Sequence, residues 1–362
     1  MVEIIAAFTG LGLFAWRLRE RRPLEVSRHP PKFQELTNDA SPTLKDLSIL
    51  IPARNEAHNL PYLLESLSPA QKEGVTILVI DDQSTDGTGD IGERFGIMTY
   101  RTDPKPDGWS GKNWACQQGY DHLKNQQKMT KYILFTDADT THHPEAVKTS
   151  LEWLHKCAAD VLTARPYHRN PQFWEQLLGP FYLLISFITN AKNPHPSPQR
   201  FFSIGQYLLF RSDAYEAIGG HQAIRTELAE DLAIAKNCFL RGQKFVVHPN
   251  ADLYTTRMYA SKDAFFGGWQ RNFRLGLKQT HWLTAVEVIL VIGALMKPPT
   301  FWHYSLGAFL MGWFQTKEGR FHWLGALLYP ISLMAFILVS LTAIITSTQR
   351  KPIYWKAREY EQ

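Results

Sequence analysis

Three short apolar runs each end abruptly in acid or amide side chains, and this pattern constrains the fold more than any other feature. Leu47-Ser-Ile-Leu-Ile-Pro52 leads into Ala53-Arg-Asn-Glu56. Val75-Thr-Ile-Leu-Val-Ile80 leads into Asp81-Asp-Gln-Ser-Thr-Asp-Gly-Thr88, and Tyr132-Ile-Leu-Phe-Thr136 into Asp137-Ala-Asp139. Runs this short and this apolar predict strands buried on both faces. Between them, Asn59 to Leu67, Thr88 to Phe95 and Trp114 to Leu123 carry apolar residues at helical spacing, and Ile97 to Tyr100 reads as an edge strand. Strands alternating with helices imply parallel βαβ units, and so an α/β domain with a mainly parallel sheet flanked by helices. Ligands of such sheets bind beyond the carboxyl ends of the strands. All three polar clusters therefore fall on one expected rim.

Each cluster also has a plain structural reading. Asp86-Gly87 is turn chemistry, and Ser84 or Thr85 suits a helix cap. That does not account for two adjacent acids at Asp81-Asp82 directly after a buried strand, where charge is costly unless it faces a cleft. Asp137-Ala-Asp139 is read as extended backbone, in which residues two apart point the same way. Two like charges at close range resist joint ionisation, and a hard divalent cation removes that penalty. Gly108-Trp-Ser-Gly-Lys-Asn-Trp-Ala115 precedes a helical stretch. Lys112 there either meets an anion at a helix start or is solvated in a surface loop. Glu230-Asp231 lies in the amphipathic stretch Thr226 to Lys236. It reads as helix-start acids or as a general base facing the cleft.

The ends of the chain have a different character. Ile4 to Trp16 is uncharged and followed by Arg17, Arg19, Arg21 and Arg22. A basic flank after the apolar run, not before it, argues for an anchor and against a cleaved signal. Trp323 to Thr346 holds 24 residues without a charge, about 36 Å as one helix and long enough to cross a bilayer. Trp282 to Met296 and Phe301 to Phe314 are shorter, so two or three C-terminal spans are expected. The expected organisation is an anchor over 1–22, a Pro-rich linker over 23–46, a catalytic domain over 47–275, membrane helices over 276–349 and a basic tail over 350–362. The net charge of +5 gathers at the ends, which favours anionic lipid over nucleic acid as a neighbour. Three scattered cysteines without CxxC spacing argue against a disulfide framework or a zinc site.

Taken together, these residues resemble family 2 glycosyltransferases of the GT-A fold. Ile51-Pro-Ala-Arg-Asn-Glu56, the Asp81 to Thr88 block, Gly111-Lys-Asn-Trp-Ala-Cys-Gln-Gln-Gly119, Asp137-Ala-Asp139 and Glu230-Asp231 follow the family's order from about Leu47 to Arg274. The resemblance implies an inverting, metal-dependent enzyme using a nucleotide-diphosphate sugar and Mg²⁺ or Mn²⁺. It implies that Pro52, Arg54, Asn55 and Glu56 line the nucleotide pocket and that Asp82 contacts the base, a uracil. Asp137 faces the ribose side, Asp139 binds the metal with Asp137 beside it, Lys112 meets the diphosphate, and Asp231 is the base with Glu230 next to it. The Gly108 to Ala115 stretch, Gly219-Gly-His221 and Gly268-Trp-Gln-Arg-Asn272 resemble a membrane-associated subgroup. It includes carotenoid (diaponeurosporenoate and chlorobactene) and hopanoid-associated glycosyltransferases. Gln270 and Arg271 are then candidates for acceptor or diphosphate contact.

The Gln-x-x-Arg-Trp signature of processive synthases is replaced here by Trp269-Gln-Arg-Asn272. A polyprenyl-phosphate or processive polysaccharide glycosyltransferase is the alternative activity, and a sugar-nucleotide-binding scaffold without catalysis the alternative class. The expected setting is the cell membrane, catalytic domain toward the cytoplasm, with a lipid acceptor. The apolar stretches Phe173 to Thr189 and Phe201 to Phe210 read either as core or as a lipid-facing shelf.

Overall fold

The computed structural model describes residues 2–19, 41–277, 280–349, 352–355 and 358–360. Most of the expected linker, residues 23–40, lies outside them, as do Arg21, Arg22, Arg350, Lys351 and Lys356. In chain order the elements begin α1 (Val2–Leu18), β1 (Leu47–Ala53), α2 (Leu60–Lys72), β2 (Thr76–Asp81), α3 (Thr88–Arg94), β3 (Met98–Arg101), α4 (Gly111–Asn125) and β4 (Tyr132–Thr136). Then come β5 (Thr140–His142), α5 (Ala146–Lys156), β6 (Val161–Thr163), β7 (Tyr167–His168), α6 (Phe173–Gln176), α7 (Gly179–Thr189), β8 (Tyr207–Arg211) and α8 (Ser212–Ala217). The last are α9 (Glu230–Leu240), β9 (Phe245–Val247), β10 (Tyr254–Thr256), α10 (Lys262–Leu277), α11 (Trp282–Met296), α12 (Phe301–Gln315), α13 (Trp323–Leu327), α14 (Tyr329–Thr348), β11 (Ile353–Trp355) and β12 (Arg358–Tyr360).

Two compact units emerge. The first lies within Glu20–Tyr167 and Ala191–Thr256. Its seven-stranded sheet has the order β3-β2-β1-β4-β8-β6-β9. Strands β1 to β4 run parallel, and β8 alone opposes its two neighbours. Side chains alternate across the sheet, as a strand buried on both sides requires. Ile49, Ile51, Ile77, Val79 and Leu134 enter one core with α2 and α5. Leu50, Leu78, Ile80, Ile133 and Phe135 enter the other with α4 and α9. Helix α4 sits close on the sheet at Gly119, where a Cβ would stand 2.1 Å from Ile80 Cδ1.

Residues 201–210 do not form an apolar shelf. Tyr207 to Phe210 are buried in the middle of the sheet as β8. The helix expected from Thr226 starts only at Glu230, which leaves both acids in its first turn.

The second unit is helical and lies within Met1–Arg19, His168–Asn190 and Arg257–Gln362. Residues 168–190 and 257–275, placed by sequence inside the catalytic domain, pack here. Helix α7 buries Phe181, Leu183, Leu184 and Phe187 in this unit's core, with Phe14 of α1, Trp269 of α10, Met311 of α12 and Phe336 of α14. It is therefore core as well. Helices α1 and α11 approach closely at Gly10, where a Cβ would meet Ala294 Cβ at 2.5 Å. Glu287, a charge that interrupts an apolar helix, is paired with Arg17 at 2.9 Å.

The single helix expected over Trp323 to Thr346 is two helices, α13 and α14, divided at Leu328. Pro330 explains the division. It lacks an amide hydrogen and sits in the first turn of α14, where none is needed. Helix α14, with 20 residues, is long and apolar enough to cross a membrane. Helices α11 and α12, of 15 residues each, are shorter.

Candidate active site at the carboxyl edge of the sheet

Strands β1, β2 and β4 end side by side, and antiparallel β8 begins at the same edge with Tyr207 opposite Thr136. The loops beyond β1 and β2 are stapled together. Asn55 donates its amide N–H to Ser84 Oγ at 3.0 Å, Glu56 to Thr88 Oγ1 at 2.9 Å and Ala57 to Asp86 Oδ2 at 3.0 Å. In return, Thr85 N–H donates to Asn55 Oδ1 at 2.9 Å. Asn55 and Gln83 adopt positive φ, 53° and 55°, a conformation that amide side chains accept more readily than most.

The adjacent acids have separate tasks. Asp81 accepts Ser84 N–H at 2.9 Å and shapes the turn. Asp82 extends the ladder by donating its N–H to Ala53 O at 2.8 Å. Arg54 Nη1 donates to Asp82 O at 2.9 Å and lies 3.6 Å from Asp82 Oδ2. Glu56 Oε2 accepts from Asn59 Nδ2 at 2.8 Å. Pro52, Arg54, Asn55, Glu56 and Asp82 are thus brought together, with Asn55 serving as one of the staples.

The Asp137-Ala-Asp139 segment is not extended backbone. It turns between β4 and β5, and the Thr140 hydroxyl and amide both donate to Asp137 O, at 2.8 and 3.3 Å. Strand-like alternation therefore does not set the directions of these two carboxylates. The two acids still share surroundings. Burial, and then the charges of Asp137 and Asp139, hold the Tyr254 phenol well above its usual range.

Lys112 does not lie in a solvated loop. Its Nζ stands 2.6 Å from both Asp137 Oδ1 and Glu230 Oε1, with 15% of the side chain exposed. Burial disfavours the ammonium, but the two carboxylates outweigh it and hold its pKa well above the usual value. This one side chain joins the end of β4 to the start of α9.

The neighbouring residues of α4 hold the loop ahead of α9. Ser110 N–H donates to Arg225 O at 2.6 Å. Asn113 Nδ2 donates to Ile224 O and Glu227 O, at 2.7 and 2.9 Å. Asp231 then sits in the first turn of α9. Burial first, and then the Glu230 carboxylate, push its pKa up to about 7, against the Leu232 amide, Lys112 and the Gly205 amide.

Asp137 and Asp139 offer the hard oxygen donors that Mg²⁺ or Mn²⁺ takes. One oxygen of Asp137 is already held by Lys112. Among the described residues, no group of three or more His, Cys, Asp or Glu side chains is placed to hold a metal. A donor set this small suits a cation that completes its shell with substrate phosphates and water. Gln270 and Arg271 belong to the helical unit, on α10. There Gln270 Nε2 donates to Thr342 O at 3.5 Å, and Arg271 donates to Asn272 Oδ1.

His221, in the Gly219-Gly-His221 motif, is structural. It packs on Phe135, its Nδ1 lies 2.7 Å from Tyr215 Oη, and burial lowers its pKa to about 3. Gly205 is the residue that sequence reasoning missed. A Cβ there would meet Glu230 Oε1 at 2.2 Å and Lys112 Nζ at 2.7 Å. An isolated glycine just before the apolar run Tyr207 to Phe210 was the available signal, since such glycines mark close approach.

The mainly parallel sheet with acids from several loops at its carboxyl edge is arranged as in the GT-A nucleotide-diphospho-sugar transferase fold. The chain resembles the solved structure of the mannosyltransferase PcManGT from Pyrobaculum calidifontis, in complex with GDP-Man and Mn²⁺. The TM-score is 0.52 at 15% identity, over 94% of this chain and 99% of that one. Residues 48–219 match the family model Glycosyl transferase family 2. It is similar to the 4,4'-diaponeurosporenoate glycosyltransferase of Staphylococcus haemolyticus (strain JCSC1435), with 26% identity over 99% of this chain and 98% of that protein. The enzyme of the same name from Staphylococcus aureus (strain USA300) is 28% identical over 64% of this chain and 62% of its own length.

Proposed function

We propose that the chain transfers a sugar from a nucleotide-diphosphate sugar, a UDP-sugar, to a lipid acceptor of the carotenoid kind, with inversion at the sugar C1. The observation that carries this reading is the Lys112 bridge. It ties Asp137, at the end of β4, to Glu230, next to Asp231. Donor-side and base-side carboxylates are thereby held at one rim. The relatives' names support the carotenoid acceptor.

In this mechanism Arg54, Glu56 and Asp82 hold the nucleotide, and Asp231 faces the acceptor. The acceptor oxygen bonds to C1 as the bond from C1 to the diphosphate oxygen breaks, and Asp231 receives the acceptor proton. An oxygen nucleophile activated in this way needs no covalent sugar–enzyme intermediate. A divalent cation at Asp139, with Asp137 beside it, would supply charge neutralisation for the leaving diphosphate. A carboxylate acceptor, already ionised at neutral pH, depends less on Asp231 than a hydroxyl does. The setting that fits is the cell membrane, supported by the length and apolarity of α14; the sheet unit faces the cytoplasm in this reading.

The test incubates membranes containing the full chain with labelled UDP-sugars and a carotenoid acceptor, then identifies the lipid products by mass spectrometry. A single glycosylated lipid is the expected product. Polymer, or no transfer from any UDP-sugar, overturns the reading. With a hydroxylated acceptor, Asp231→Asn lowers turnover by roughly 10²–10⁴-fold, and undiminished turnover removes the base assignment.

A further inference from the structure

Gly205 lies in the loop ahead of β8 and reaches the site's charged groups through its backbone alone. Its amide is among the groups that favour the ionised form of Asp231. Its carbonyl accepts from Lys112 Nζ at 3.5 Å. The space that a side chain would fill holds the Lys112–Glu230 ion pair, with Glu230 Oε1 2.2 Å and Lys112 Nζ 2.7 Å from an ideal Cβ. Such distances are well inside van der Waals contact, so a methyl group there forces something to move. Neither neighbour moves freely. Glu230 is buried, and Lys112 is also held by Asp137 at 2.6 Å.

We propose that Gly205 is a positioning residue of the transfer reaction: its bare Cα admits the Lys112–Glu230 pair, and so keeps Glu230 and the adjoining Asp231 in place at the start of α9. The role rests on the reading of Asp231 as the base. An added methyl either displaces the Glu230 carboxylate at the start of α9 or lifts the loop away from Asp231. Both outcomes misplace the base relative to the acceptor. The stapled loops at 54–57 and 82–88 hold one another through their own hydrogen bonds. The effect should therefore fall on turnover and spare nucleotide binding.

The test compares Gly205→Ala with the unaltered full-length protein in membranes, using a hydroxylated acceptor. The expected result is a fall in kcat of about 10–100-fold, the scale of a misplaced catalytic group. UDP affinity, measured calorimetrically with Mn²⁺, should stay within about threefold of the unaltered protein. Unchanged kcat, or a parallel loss of UDP affinity, overturns the proposal.

Should the single variant fail to fold, Gly205→Ala combined with Glu230→Ala removes the closer of the two clashes and frees Lys112 of one of its two carboxylates. Turnover within about threefold of Glu230→Ala alone supports the proposal, and a further tenfold loss overturns it. Asp231→Asn is measured alongside. If it keeps full turnover, the base assignment fails and the positioning role with it. If it loses turnover while Gly205→Ala does not, only the positioning role fails.

Discussion

At the scale of single residues, the site depends on how few charges are left to water. Lys112 is neutralised by two carboxylates, while Asp231 sits beside Glu230 and is partly buried, so its ionised form is disfavoured. With a pKa pushed up to about 7, Asp231 is largely protonated at pH 6 and largely ionised at pH 8. Only the ionised form accepts a proton. Turnover of a hydroxylated acceptor should rise about tenfold per pH unit below pH 7 and level off above it. A profile already flat from pH 5 to 8 would contradict this. The stability linkage has a matching sign. The folded pKa lies above that of an unfolded carboxylate, so the folded state holds an extra proton between about pH 4 and 7. This contribution to stability is lost as pH rises through that window.

Asp139 offers a different measurement, because its proposed role concerns the donor complex. Asp139→Ala should weaken UDP binding in the presence of Mn²⁺ and leave metal-free binding nearly unchanged. Equal calorimetric affinities for the variant and the unaltered protein with Mn²⁺ would remove Asp139 from the metal site.

At the scale of elements, short apolar runs gave the positions of β1 to β4 to within a residue or two, because strands buried on both faces leave few alternatives. Tyr132–Thr136 is the expected strand with the expected ends. Helix starts were less legible. Helix α9 begins at Glu230, after a loop held by the Asn113 side chain, and that contact joins residues 111 and 114 positions apart. The apolar segments show a related lesson. Tyr207 to Phe210 and Phe181 to Phe187 have the composition of a lipid-facing surface, yet both are core, because composition does not say which partner covers an apolar face. Helix α14 differs, with Ile331, Met334, Leu338 and Leu341 all more than half exposed. Burying such side chains in lipid removes apolar surface from water. The full chain should accordingly stay with membranes through an alkaline carbonate wash and leave only in detergent. Release by carbonate would show that α14 does not span.

At the scale of the whole molecule, the sequence by itself determined the α/β class, the first four strands and the set of acids at the ends of three of them. These follow from local rules: a side-chain period of two, the cost of burying charge, and turn chemistry. Only the tertiary structure decided which charges meet. It placed the Lys112 ammonium against acids 25 and 118 positions away along the chain. It left room for that pair at Gly205 and divided the last apolar run at Leu328. Such pairings are set by the packing of distant segments, whose distances no local pattern of residues encodes.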